Sequence, residues 1–349
     1  MSRMSRKRIF TVCALLLAAW CGSAVLSLSF GSVAISPRTI LRLALDRLSG
    51  EPAADAALDA ILFSVRLPRI LLASVVGAAL GLAGAAFQSL LRNPLADPYV
   101  LGVSTGASLG TILFIILVAA AGVGAAGGLF IYARPGAAFA GAVVTVAAVY
   151  LISGGSDRRG ESSQRLLLAG IVMASFISSI NVFLLTSADQ ADLRGILYWL
   201  IGDLSRPVDA SAYVVAALVL GGSALLYALS HSLNLISSGE EDALSLGIEV
   251  GRVKLQAYVL ASLITGSVVS VSGPIAYIGL ICPHLARMAL GADNRILFPS
   301  VFLFGAVFTL LADTIARTVL SPVELPVGVI TALCGAPLFI VLLRRRGGS

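Results

Sequence analysis

Residues 66–92 read RLPRILLASVVGAALGLAGAAFQSLLR. Arg69 and Arg92 are separated by 22 residues without a charge. At about 1.5 Å per residue a helix of that length reaches roughly 33 Å, enough to cross a hydrocarbon layer of about 30 Å. Lipid offers no partner to an open backbone amide, so such a run spans as a helix that satisfies its own hydrogen bonds. Pro68 stands in the first turn, where a helix has no use for an N–H.

The same pattern recurs along the chain. Of its 349 residues 58% are hydrophobic and 12% charged, where a soluble domain carries about 25% charged residues. The predicted spans are Ile9–Phe30, Ile70–Leu91, Tyr99–Ala121, Ala137–Ile152, Leu166–Ser187, Ala210–Leu229, Leu255–Ser272, Leu297–Ile315 and Pro326–Leu343, with a shorter one, Ala276–Leu290, interrupted by Pro283. This predicts an all-α polytopic membrane protein of about ten helices, one transmembrane domain over residues 1–349. The alternating segments of about ten residues that mark a membrane β-barrel do not occur.

If the N-terminus is cytoplasmic and the spans alternate, the inner segments hold 15 of the 24 basic residues and 8 of the 18 acidic ones. That agrees with the positive-inside rule and predicts that both termini are cytoplasmic. MSRMSRKRIF followed by TVCALLLAAW also fits a secretory signal, but the apolar run continues to Phe30 without a polar break, which favours a retained first helix. No basic run is interleaved with aromatics, so the positive charge reads as inner-face arginines rather than a nucleic-acid surface. Cys13, Cys21, Cys282 and Cys334 all lie in apolar runs, as small buried side chains would. With His231 and His284 the only histidines, a metal site of the usual ligand count is not expected. No nucleophile, dinucleotide or zinc-protease motif is present, which points away from an enzyme.

A transporter or channel remains. Ion-coupled carriers place ionisable side chains deep in their helices, and here Asp313 is the main example, with Arg317 one turn later as an i,i+4 partner or as half of a proton relay. No phosphate-binding loop of the G-x-x-x-x-G-K-[ST] type exists, so if ATP drives this protein a separate chain hydrolyses it. Gly77 and Gly81, like Gly102, Gly106 and Gly110, are spaced one turn apart. That spacing lets helix backbones approach closely in lipid, a dimer interface being one place for it. LRNPLADPYVLG (91–102) reads as a tight turn, because Asn93-Pro94 and Asp97-Pro98 both disfavour a continuing helix.

Four stretches form a recognisable set: residues 66–110 from RLPR to GASLG, LYWLIGDLS (197–205), SGPIAYIGLICPHLARMALGADNR (272–295) and ELPVGVITALCGAPLFIVLLRR (324–345). Together they resemble the FecCD family, the permeases of ABC importers for iron-siderophores, haem and cobalamin. The resemblance implies a type II importer: two ten-helix permeases as a homodimer or a pair, two cytoplasmic ATPases that carry ATP and Mg, and an extracytoplasmic substrate-binding protein. It implies no cofactor on this chain. It also implies that Arg66, Arg69 and Arg317 dock carboxylates of the binding protein, a task suited to the planar, always-charged guanidinium. EEDALSLG (240–247), within an inner segment of about 234–250, resembles the family's ATPase-coupling region. There Glu240, Glu241 and Asp242 suit a helix N-terminus, Ala243, Leu244 and Leu246 offer a small apolar face, and Gly247 is a stop. An ion-coupled carrier and a non-transporting membrane receptor or scaffold are the competing classes.

Overall fold

The computed structural model describes residues 6–50, 55–121, 128–154, 162–186, 190–205, 208–321 and 323–346, and every regular element among them is helical. α1 (Arg6–Ser29) is followed by a short amphipathic helix, α2 (Pro37–Ser49). The Ser36 hydroxyl opens α2 by accepting from Thr39 N, and Gly50, at φ 76°, closes it. α3 (Ala56–Asp59) is capped by Asp55 and runs through a wider π-type stretch, Ala60–Arg66, into α4 (Leu67–Leu90).

The predicted turn after α4 is present. Arg92 takes φ 50°, Asn93 Oδ1 accepts from Leu95 N, and Asp97 Oδ1 accepts from Tyr99 N at 2.8 Å. A 3-10 turn, Pro98–Leu101, then leads into α5 (Val103–Ala120). α6 (Gly128–Ile152), α7 (Ser162–Thr186), the short α8 (Gln190–Ile201) and α9 (Ala210–Ala228) follow. The connection beyond α9 is folded as α10 (Ser230–Ser238) and α11 (Glu240–Ser245). The chain ends with α12 (Val250–Ser272), α13 (Ile278–Leu290), α14 (Asn294–Thr318) and α15 (Val327–Arg346).

Among the described residues eight helices are long and apolar enough to cross a membrane, and Ile278–Leu290 and Val327–Ile340 are shorter apolar helices. These ten coincide with the ten expected runs. α4 is the hub: 89% of its span is buried, against 6% for α1. A helix apolar on every side is stable only inside a bundle or in lipid, and α14, α12 and α13 pack around α4 while α5 pairs with α6.

The glycine spacing works within the chain. A Cβ built on Gly77 would strike Gly305 O and Thr309 Oγ1, and one on Gly305 would strike Gly77 O. Gly106 and Gly141 meet in the same way between α5 and α6, and Gly110 lies against Ala137 O. Gly81 faces Val301. Gly102 is different: it lies ahead of α5 at φ 80°, a left-handed turn residue, and a Cβ there would also crowd Thr145 of α6.

Two expectations need correction. α13 does not span: 13 residues make roughly 20 Å of helix. Its Gly279 lies against Gly84, only about 9 Å along α4 from Leu90. The chain therefore turns at 273–277 inside the bundle. The cysteines are also not uniformly buried, since Cys282 is buried but Cys21 and Cys334 are exposed.

Candidate translocation and coupling sites

Three polar or irregular regions interrupt the apolar bundle. With faces named by the charge distribution, the first is at the outer end. Arg66 closes the π-type stretch, where α1 ends and the chain turns toward α2. It is 3% exposed and donates to the carbonyls of Leu28 and Val33. One helical turn on, Arg69 is 7% exposed and joins three helices. Its Nε and NH2 donate to the Asp313 carboxylate of α14 at 2.9–3.1 Å, and its NH1 donates to Glu324 Oε2 at 2.7 Å just before α15.

Arg317 pairs with Asp313 at 3.3 Å, the anticipated i,i+4 contact, and donates to the Ser27 hydroxyl of α1 at 2.6 Å. Asp313 is fully buried, whereas the Glu324 side chain is 39% exposed. All three expected docking arginines are thus gathered at one end, but each is engaged inside the chain. The Arg69–Asp313 and Arg69–Glu324 pairs were not anticipated, because their partners lie 244 and 255 residues away. The available signal was the presence of complementary charges at Arg69, Asp313 and Glu324 in otherwise apolar surroundings.

The second region lies within the bundle, where three helix ends meet. Asp203 N, just past α8, donates to Ser272 O at 2.8 Å. Gly328 N, at the start of α15, donates to Gly202 O at 3.4 Å. Ile275 N donates to the Tyr99 hydroxyl at 2.9 Å. Gly202 and Gly273 take φ of 88° and 66°. A side chain on Gly273 would strike Trp199 O, and one on Gly328 would strike Ile201 O. Tyr277 takes φ 72° immediately before α13, a costly conformation for an aromatic residue that only surrounding structure can hold.

Non-helical backbone at membrane depth is tolerated only inside protein or along a cavity. Discontinuous helices meeting in this way recur at the substrate pathways of transporters. Trp199 of α8 is 1% exposed, since that helix ends at this junction.

The third region is the inner connection. Glu240, Glu241 and Asp242 form the first turn of α11, and Gly247 ends the segment at φ 81°. Glu240 pairs with Lys254 of α12 at 2.7 Å. Ala243 is fully buried against Ile236 and Val250, a small core separate from the main one. Leu244 and Leu246 are 58% and 65% exposed, so the three apolar residues do not share a face. Ala243 holds the segment together, and the two leucines are left for a neighbour. Hydrogen bonds from Arg295 hold the nearby Asp293 carboxyl down at about 2, with Asn234 helping. His284 is buried in α13.

A profile of the FecCD transport family matches residues 15–345, every one of these regions included. The chain belongs to the FecCD transport family. Among its FecCD relatives, the cobalamin import permease BtuC of Halobacterium salinarum is 40% identical over 82% of this chain and 74% of its own length. The hemin transport permease HmuU of Yersinia pestis is 39% identical over 82% and 84%. A metal-chelate type ABC transporter solved in an inward-facing conformation superposes with a TM-score of 0.81 at 32% identity, covering 98% of this chain and all of that one.

As a FecCD protein the chain is a multi-pass transport permease. Its fold matches that of an ABC transporter permease. Among the described residues no group of three or more His, Cys, Asp or Glu side chains is placed to hold a metal ion.

Proposed function

We propose that this permease carries a bulky metal chelate, a ferric siderophore, haem or cobalamin, into the cell. In this reading it works as a homodimer, with an ATPase seated on the α10–α11 face of each copy and a binding protein delivering cargo at the Arg69 end. The observation that carries the reading is the inner segment: a short acidic helix with its own core and two leucines left exposed. Such a pair of leucines suits a groove on a partner. The junction of α8, α13 and α15 supports a path through the bundle, since the surrounding helices supply mainly small and apolar side chains that grip a large chelate weakly. Specificity then resides in the binding protein.

Docking through the outer arginines takes a particular form. Arg66 and Arg317 are turned to backbone and buried partners, whereas Arg69 shares one face with the part-exposed Glu324. A carboxylate of the binding protein engages Arg69 by replacing Glu324. Proteoliposomes holding the permease, its cognate ATPase and its binding protein test the reading. Uptake of the chelate held by that binding protein should require ATP and survive an uncoupler. Uptake driven by a proton gradient without ATPase would assign the chain to ion-coupled carriers instead. Glu324→Gln should tighten association with the binding protein, and unchanged association would remove the exchange at Arg69.

A further inference from the structure

A polar lattice ties the inner segment to α4 and α14, the most extensively paired helices. Asn234 of α10, 7% exposed, bridges the start of α14 with both ends of its amide. Its Nδ2 donates to Asp293 Oδ1 at 2.7 Å, and its Oδ1 accepts from Asn294 N at 2.8 Å. The opposite orientation of the amide would set its oxygen against the carboxylate and its NH2 against an N–H, so the partners determine the assignment.

Asp293 also accepts from Arg295 N as the α14 cap. Asn234 therefore completes that cap from another helix, satisfying a second first-turn N–H that α14 cannot satisfy itself. The lattice continues into α4. Asn294, 1% exposed, accepts from the Ser89 hydroxyl at 2.9 Å, and Ser237, one turn beyond Asn234, lies 3.4 Å from Ser89 O.

α4 and α14 form the most extensive helix pair in the molecule. They interlock at Gly77 and Gly305, where no side chain fits between the backbones, and are pinned again at the outer end by Arg69 and Asp313. A pair joined at both ends and the middle moves as one body. On its far side, the chain after α14 leads through Glu324 to α15 and the central junction. The α10–α11 segment meets this pair through Leu233, which lies in the main core, and carries a small core of its own around Ile236, Ala243 and Val250. Asn234, with Ser237 one turn on, makes the polar joint between them.

We propose that Asn234 is the positioning residue through which displacement of α10–α11 is transmitted to α4 and α14, and so to the outer end of the permease. This rests on the reading that α11 seats the ATPase. The test uses the permease–ATPase complex in lipid nanodiscs, with spin labels at Leu48 and Val319, both exposed at the outer end. A non-hydrolysable ATP analogue should shift the label-to-label distance in the parent protein.

In Asn234→Leu that shift should vanish, while nucleotide binding persists and a cysteine at Leu246 still cross-links to the ATPase. The reciprocal pair Asn234→Asp with Asp293→Asn, which rebuilds a donor–acceptor contact with the roles exchanged, should recover the shift that Asn234→Asp alone loses. A role confined to capping α14 would lower thermal stability but leave the shift in place, and that result overturns the proposal, as does a parent protein that shows no shift. If the Leu246 cysteine fails to cross-link to the ATPase in the parent, the reading of α11 fails and the relay with it. Cross-linking with an undiminished shift in Asn234→Leu sinks the relay alone.

Discussion

Arg69 shows what one side chain carries here. Asp313 is fully buried, and a buried carboxylate deprived of every cation typically costs about 3–5 kcal/mol. Arg69→Met should lower the melting temperature of the purified protein by less than that limit implies, because Arg317 still pairs with Asp313 at 3.3 Å. Adding Asp313→Leu should not restore the loss, because the buried Arg317 then loses its paired carboxylate. Glu324, 39% exposed at its side chain, should cost under about 1 kcal/mol when changed to Gln, as exposed pairs do. An Arg69→Glu variant would fail to transport for reasons of folding as well as docking, so assembly must be measured beside uptake. Asp97, at the turn after α4, is pushed up to about 6 by burial, against about 3.9 in an unfolded chain. With the folded value the higher, the folded protein holds the extra proton between those values, and stability falls as pH rises from about 4 to about 6. Thermal melts across that window should show this slope, and Asp97→Asn should flatten it. The residue types at Arg69, Asp313 and Glu324 were plain in the sequence. Their pairing was not, because nothing local relates positions more than two hundred residues apart.

For helices in lipid, close approach takes the place of the hydrophobic drive found in water. Gly77→Ala should push α4 from α14 and cost about 1–3 kcal/mol, the usual range for overpacking. A Cβ on Gly221 of α9 meets nothing within 4 Å, so Gly221→Ala should be neutral or stabilising by up to about 1 kcal/mol. Equal melting temperatures for the two variants would contradict the crossing at Gly77. The one-turn spacing of Gly77 and Gly81 was legible as a packing signal, but a spacing does not say which helix it meets. Pro283 and the short apolar run around it marked α13 as unusual. Its half-length became evident only through the contact of Gly279 with Gly84.

For the whole molecule the central claim is sidedness. A cysteine at Leu246 should react with a membrane-impermeant reagent only from the cytoplasm, and one at Leu48, 85% exposed in α2, only from outside. Labelling of both from one side in intact cells would break the assigned sidedness, and with it the separation of the α11 segment from the Arg69 cluster.

Taken alone, the amino-acid sequence determined the solvent, the number of apolar runs, the charge asymmetry between faces and the kinship with chelate permeases. The first three follow from composition and from runs no longer than one helix, and the kinship from four motif stretches, the longest covering residues 66–110. Tertiary structure alone decided that α4 is the hub, that the outer arginines are spent on Asp313, Glu324 and backbone carbonyls, that three helix ends meet within the bundle, and that Asn234 reaches across to α14. The physical reason is common to all four: a buried polar group must find its partner wherever the fold brings one, and in this chain the partner is usually on another helix, far along the sequence.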